Sequence, residues 1–208
     1  MNGVAAFDHP GREPRVPAAL LGMWVFLASE VLFFGGLLLA YAYGRSHWPA
    51  GFAAASRETH VVIGTLNTAL LLTSSALVAL AVTCGELRQP RRVGPLLWTA
   101  CALGLAFMAL KGLEYAMELR EQLLPGSSFR LPEVGASLFY VLYFLATGLH
   151  AVHLAIGIAI LGVLAWGCGR QKPWAGPRRI EAAGLYWHFV DVVWIFLYPL
   201  IYLGGRSG

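Results

Sequence analysis

Five long apolar runs constrain this chain more than any other feature of its sequence. They cover about residues 20–44, 61–84, 96–116, 137–166 and 185–203. Each is long enough to cross a hydrocarbon core of about 30 Å as a helix of roughly 20 residues. Backbone groups in lipid must find hydrogen-bond partners inside the protein, so helices are the expected form. A barrel would need segments of roughly ten residues with alternating polarity, and the sequence has no such pattern. The expected fold class is all-α: a polytopic membrane helix bundle with five transmembrane helices, built as one domain over residues 20–208. Composition agrees, because only 12% of the 208 residues are charged and 58% are hydrophobic. An average soluble domain carries about 25% charged residues, and half of that leaves too little polar surface to cover a soluble globule.

The segments between the runs carry turn signals. Residues 1–19 are polar, contain Pro10, Pro14 and Pro17, and lack the apolar core of a signal peptide. They read as an unstructured cytoplasmic tail. Pro49 and Gly51, then Pro90, Gly94 and Pro95, then Pro125, Gly126 and Pro132, and last Pro173, Gly176 and Pro177 mark four short connections. Nine Lys and Arg residues lie in the tail and in 85–95 and 167–184, against five on the opposite face (Arg45, Arg57, Arg120, Arg130 and Arg206). The richer face is expected in the cytoplasm, which puts the N-terminus inside and the C-terminus outside. The net charge of +4 is spread over these loops with no basic stripe, so nucleic acid is not an expected partner. Cys84, Cys101 and Cys168 are widely separated, form no C-x-x-C pair and read as small packing residues.

Ionisable groups inside spans are costly and therefore informative. Glu30 lies ten residues into the first run, about 15 Å deep at 1.5 Å per residue. Lys111 and Glu114 share a helix face at i,i+3 near the end of the third run, where snorkelling would make them an interfacial ion pair. His150 and His153, and likewise His188 and Asp191, are i,i+3 pairs in the fourth and fifth runs. Gly148 and Gly157 would let a neighbouring helix come close, and Asn67 adds an amide to the second run. Two readings fit these groups. Three histidines and the carboxylates are adequate metal ligands; equally, they are suited to hydrogen bonding one another between helices. An H-x-x-H pair is a weak metal signal, and nothing within the chain marks a haem ligand. The nucleophile elbow, the P-loop and the dinucleotide fingerprint are absent.

Particular stretches carry a family resemblance. Tyr186-Trp-His-Phe-Val-Asp-Val-Val-Trp-Ile-Phe-Leu-Tyr198 resembles the last-helix signature of cytochrome c oxidase subunit III. Ala146-Thr-Gly-Leu-His-Ala-Val-His153 and Gly22-Met-Trp-Val-Phe-Leu-Ala-Ser-Glu-Val-Leu-Phe-Phe34 resemble two more of its helices. Leu66-Asn-Thr-Ala-Leu-Leu-Leu-Thr-Ser-Ser75, and Lys111 with Glu114 and Tyr115, fit the remaining two. The mitochondrial form of that family has seven spans, with a lipid-filled cleft after the first two. This chain begins at the third and is similar to the five-helix bacterial form. The resemblance implies no haem, copper or other metal in this chain and no catalytic residue. It implies a bound phospholipid as the one candidate ligand, with haem and copper in partner subunits. The implied partners are the catalytic haem–copper subunit I, subunit II and membrane lipids, in a bacterial inner membrane. The implied role is support of assembly, stability and proton uptake in an oxidase that reduces oxygen and pumps protons. Glu30 and Asp191 match the family's buried carboxylates, and His150, His153 and His188 become hydrogen-bonding groups beside them. Asn67, Lys111 and Glu114 become interhelical polar contacts. Cytochrome c is the implied electron donor; a quinol oxidase subunit III and an accessory subunit of nitric oxide reductase are the alternatives.

Overall fold

The computed structural model describes residues 18–87, 89–126 and 129–206. The expected tail lies outside the described residues, apart from Ala18 and Ala19, which begin the first helix. The helices are α1 (Ala18–His47), α2 (Pro49–Glu58), α3 (Val61–Glu86), α4 (Pro90–Arg120), α5 (Ala136–Gly169) and α6 (Pro177–Tyr198), the last running into a π-helical turn, Pro199–Leu203. Five of these are long and apolar enough to span a bilayer, as the sequence predicts.

Helices α4 and α6 start six to eight residues before the apolar runs they contain, whereas α3 starts at the edge of its run. Pro90 and Pro177 begin α4 and α6 rather than interrupting them, because the first helical position has no intrahelical use for its N–H. Pro95 lies inside α4. It forgoes a single bond, to the carbonyl of Arg91, close enough to the helix end for that carbonyl to be solvated. The segment 45–60, read as a turn, contains the helix α2, in which Pro49 takes the first position and four alanines follow.

Helices α3, α4, α5 and α6 form a ring in which each packs on the next, and α1 lies against α5 and α6. Trp187 of α6 is fully buried in this ring. A Cβ added at Gly104 of α4 or Gly157 of α5 would stand 3.0 Å from its ring, so both glycines leave room for the indole. Gly148 has no such role, since its nearest neighbour would be the Tyr115 hydroxyl at 4.0 Å. The outer faces are apolar: Val25, Leu32, Leu39, Val62, Leu105 and Val163 are all more than half exposed. An apolar surface of that extent belongs in lipid or against another membrane protein.

Helix α2 closes one end of the bundle and holds the end of the chain. The π-helical turn leaves carbonyls without regular partners, and side chains take them. Tyr41 donates to Leu200, Ser56 to Ile201, Arg45 to Gly204 and Arg57 to Gly205. Arg206 in turn donates to the carbonyls of Arg57 and Thr59 at 2.8 Å.

Candidate functional site

The seam between α3 and α6 is stitched by side-chain hydrogen bonds. Thr65 meets Tyr198, Thr68 meets Trp194, Ser74 meets Trp187 and Ser75 meets His188, at 2.7–3.1 Å. The pairing runs antiparallel, so the motif ending at Ser75 and the motif beginning at Tyr186 lie side by side. Each interhelical bond of this kind contributes about 0.6 kcal/mol, and up to 1–2 kcal/mol in favourable cases.

The remaining sequence-selected groups fall into separate places. Glu30 of α1 meets His153 of α5, with Nε2 and Oε2 3.2 Å apart. This pair is half-buried, at the seam where α1 joins the ring. The Nδ1 of His153 lies 2.8 Å from the carbonyl of Leu149, and Phe34 packs edge-on to its ring. Tyr186 donates to the His153 carbonyl, tying α6 to the same place. Asp191 sits on the other side of α6, beside Ser75, and neither of its oxygens has a hydrogen-bond partner among the described residues. His150 is enclosed by the rings of Phe107 and Trp194, and Asn67 is fully buried on α3; neither side chain has a hydrogen-bond partner among the described residues. Glu30 and Asp191 therefore face different seams of the bundle.

Lys111 and Glu114 are buried, at 3% and 0% exposure, rather than interfacial. The reason is tertiary: the π-helical turn folds back over them. The Lys111 ammonium donates to Glu114 Oε2 (2.9 Å), the Tyr143 hydroxyl (2.8 Å) and the Tyr202 hydroxyl (2.7 Å), which uses all three donors. Tyr202 donates to the same Glu114 oxygen at 2.8 Å. The ammonium also stands 4.5 Å from the centroid of the Tyr143 ring, within cation–π range. Tyr115 and Thr147 are hydrogen-bonded alongside. The sequence reading missed Tyr143, Tyr202 and the fully buried Glu118. Glu118 falls just past the third apolar run, but its position four residues after Glu114 puts it on the same helix face.

Comparison with known proteins matches the sequence of this chain to a family. Residues 14–206 match the family model described as cytochrome c oxidase subunit III. Cytochrome c oxidase subunit 3 of Thermostichus vulcanus is 34% identical over 207 residues, covering 97% of this chain and 94% of that protein. Quinol oxidase subunit 3 of Bacillus spizizenii is 32% identical, covering 91% and 88%. A heme-copper oxidase subunit I+III of Aeropyrum pernix is 32% identical over 198 residues, covering 87% of this chain and 22% of that protein.

Proposed function

Because this chain belongs to the cytochrome c oxidase subunit III family, we propose that it serves as the non-redox third subunit of a haem–copper terminal oxidase, with cytochrome c as electron donor. Its work is to support assembly, stability and proton uptake of the catalytic subunit. Haem and copper reside in subunits I and II. The relative whose one chain is named for both subunits I and III supports subunit I as the neighbour. The similarity to quinol oxidase subunit 3 at nearly the same identity keeps a quinol donor as the second reading.

The observation that carries the supporting role is the Glu30–His153 pair. It is half-buried at the rim of the ring, under a helix whose other face is largely exposed and apolar. A polar pair at such a seam fixes α1 on the bundle and lies close to the surface available to a neighbouring subunit. Replacing Glu30 or Asp191 by Ala is expected to leave the haem spectrum of the assembled oxidase intact. Assembly, steady-state proton uptake or working lifetime should fall instead. A double variant that assembles normally, with turnover, proton uptake and lifetime unchanged, would contradict this role. Loss of a haem band with assembly intact would place a redox ligand in this chain.

A phospholipid is the proposed ligand. An apolar groove of about 470 Å³ runs beside Met23, Ile160, Val163 and Tyr186, with Trp174 and Arg179 among its lining residues. An acyl chain suits the groove and a phosphate suits the guanidinium.

The charge bias of the loops supports an orientation with the N-terminus in the cytoplasm of a bacterial cell. Single cysteines introduced at Gln89 and Gln171, both exposed, in a background lacking the native cysteines, should resist an impermeant thiol reagent in intact cells. They should react once the membrane is opened. Labelling of both in intact cells would reverse the orientation.

A further inference from the structure

Helix α4 carries Lys111, Glu114 and Glu118 on one buried face, and their charges do not balance. The single ammonium is committed to Glu114 and to the Tyr143 and Tyr202 hydroxyls. Glu114 Oε1 and both Glu118 oxygens have no partner among the described residues, and all three are buried. The Tyr140 hydroxyl is buried and equally without a partner, and it lies within charge-interaction range of Glu118. Tyr143, whose oxygen accepts from Lys111, has its own hydrogen to give and is within interaction range of Glu118. Two carboxyl groups thus share one cation, in a part of the fold where an unpaired carboxylate is strongly disfavoured. One further positive charge neutralises the set, and a proton on Glu118 supplies it.

We propose that Glu118, with Glu114, Lys111, Tyr140 and Tyr143, forms a binding site for one exchangeable proton at the C-terminal end of α4. The proton binds one Glu118 carboxylate oxygen and comes from the aqueous phase at the end of the bundle closed by α2. The charged and titratable groups around it are Lys111, Glu114 and Glu121 of α4, Tyr140 and Tyr143 of α5, and Tyr202 of the π-helical turn. Tyr140 in turn lies within range of Glu58 of α2 and Arg130 of the α4–α5 loop, which pair at the surface. The site therefore grades from an exposed ion pair, through a tyrosine, to the buried acid. It is distinct from the Glu30–His153 seam and does not depend on the electron donor.

The test is infrared difference spectroscopy on the purified oxidase complex containing this chain, wild type against Glu118→Gln. Expected at neutral pH is a protonated-carboxyl C=O band that is present in the wild type and lost in the variant. It should shift in D2O and give way to carboxylate bands as pH rises. Should Glu118→Gln fail to assemble, Glu118→Asp is used, and the band should move in frequency rather than vanish. Carboxylate bands in place of the C=O band at neutral pH, a band indifferent to D2O, or a band unchanged in either variant would overturn the proposal.

Discussion

Replacing Lys111 by Met is expected to destabilise the chain by about 3–5 kcal/mol, the scale for removing one partner of a buried ion pair. The ammonium of Lys111 neutralises Glu114 and holds two tyrosine hydroxyls from different elements. Its loss leaves a fully buried carboxylate with Tyr202 as its one remaining hydrogen-bond partner among the described residues. A methionine fills the space but supplies no donor. The double variant Lys111→Met, Glu114→Gln removes both charges and should recover most of the loss. Detergent-micelle unfolding of the four members of this double-mutant cycle gives the coupling directly. Additive effects of the two substitutions would mean that the pair does not act as a unit.

The other large effect is expected at Trp187. Its indole is fully buried, fits beside Gly104 and Gly157 and donates to Ser74 at 3.1 Å. One side chain thus touches three other helices of the ring. Trp187→Ala should cost about 3–5 kcal/mol, the range for truncating a buried aromatic, and leave the Ser74 hydroxyl without its indole donor. Trp98, more than half exposed on the outer face of α4, serves as control: Trp98→Ala should change stability little. Equal stability of the two variants in the same unfolding assay would contradict the packing described.

Much of this architecture is legible in the linear sequence, for a physical reason. A span must be long and apolar wherever it sits, so the five runs survive without any knowledge of their neighbours. Their ends do not, because proline has opposite meanings at a helix start and in a helix interior; Pro90 and Pro177 read as breakers and are first residues of helices. Helix α2 is only 10 residues long, short enough to be lost among Pro49, Gly51 and the polar residues around them. The polar groups are visible as residue types, whereas their partners are not. Glu30 finds His153 across 123 residues of chain, and Ser75 finds His188 across 113. Lys111 reads as interfacial from its place near a run's end, whereas Tyr143 of α5 and Tyr202 of the returning C-terminal turn cover it. Glu118 lies outside the run altogether, so its burial follows from α4 continuing to Arg120.

The central claim is that this chain functions inside a haem–copper oxidase. The most direct measurement is affinity purification of the tagged chain from its native membranes in mild detergent, with identification of the co-purifying chains and an optical spectrum of the pool. Expected is a stoichiometric complex with the catalytic subunit I, a haem spectrum, and oxygen consumption driven by reduced cytochrome c. A chain that purifies alone, or with partners lacking haem, would contradict the claim.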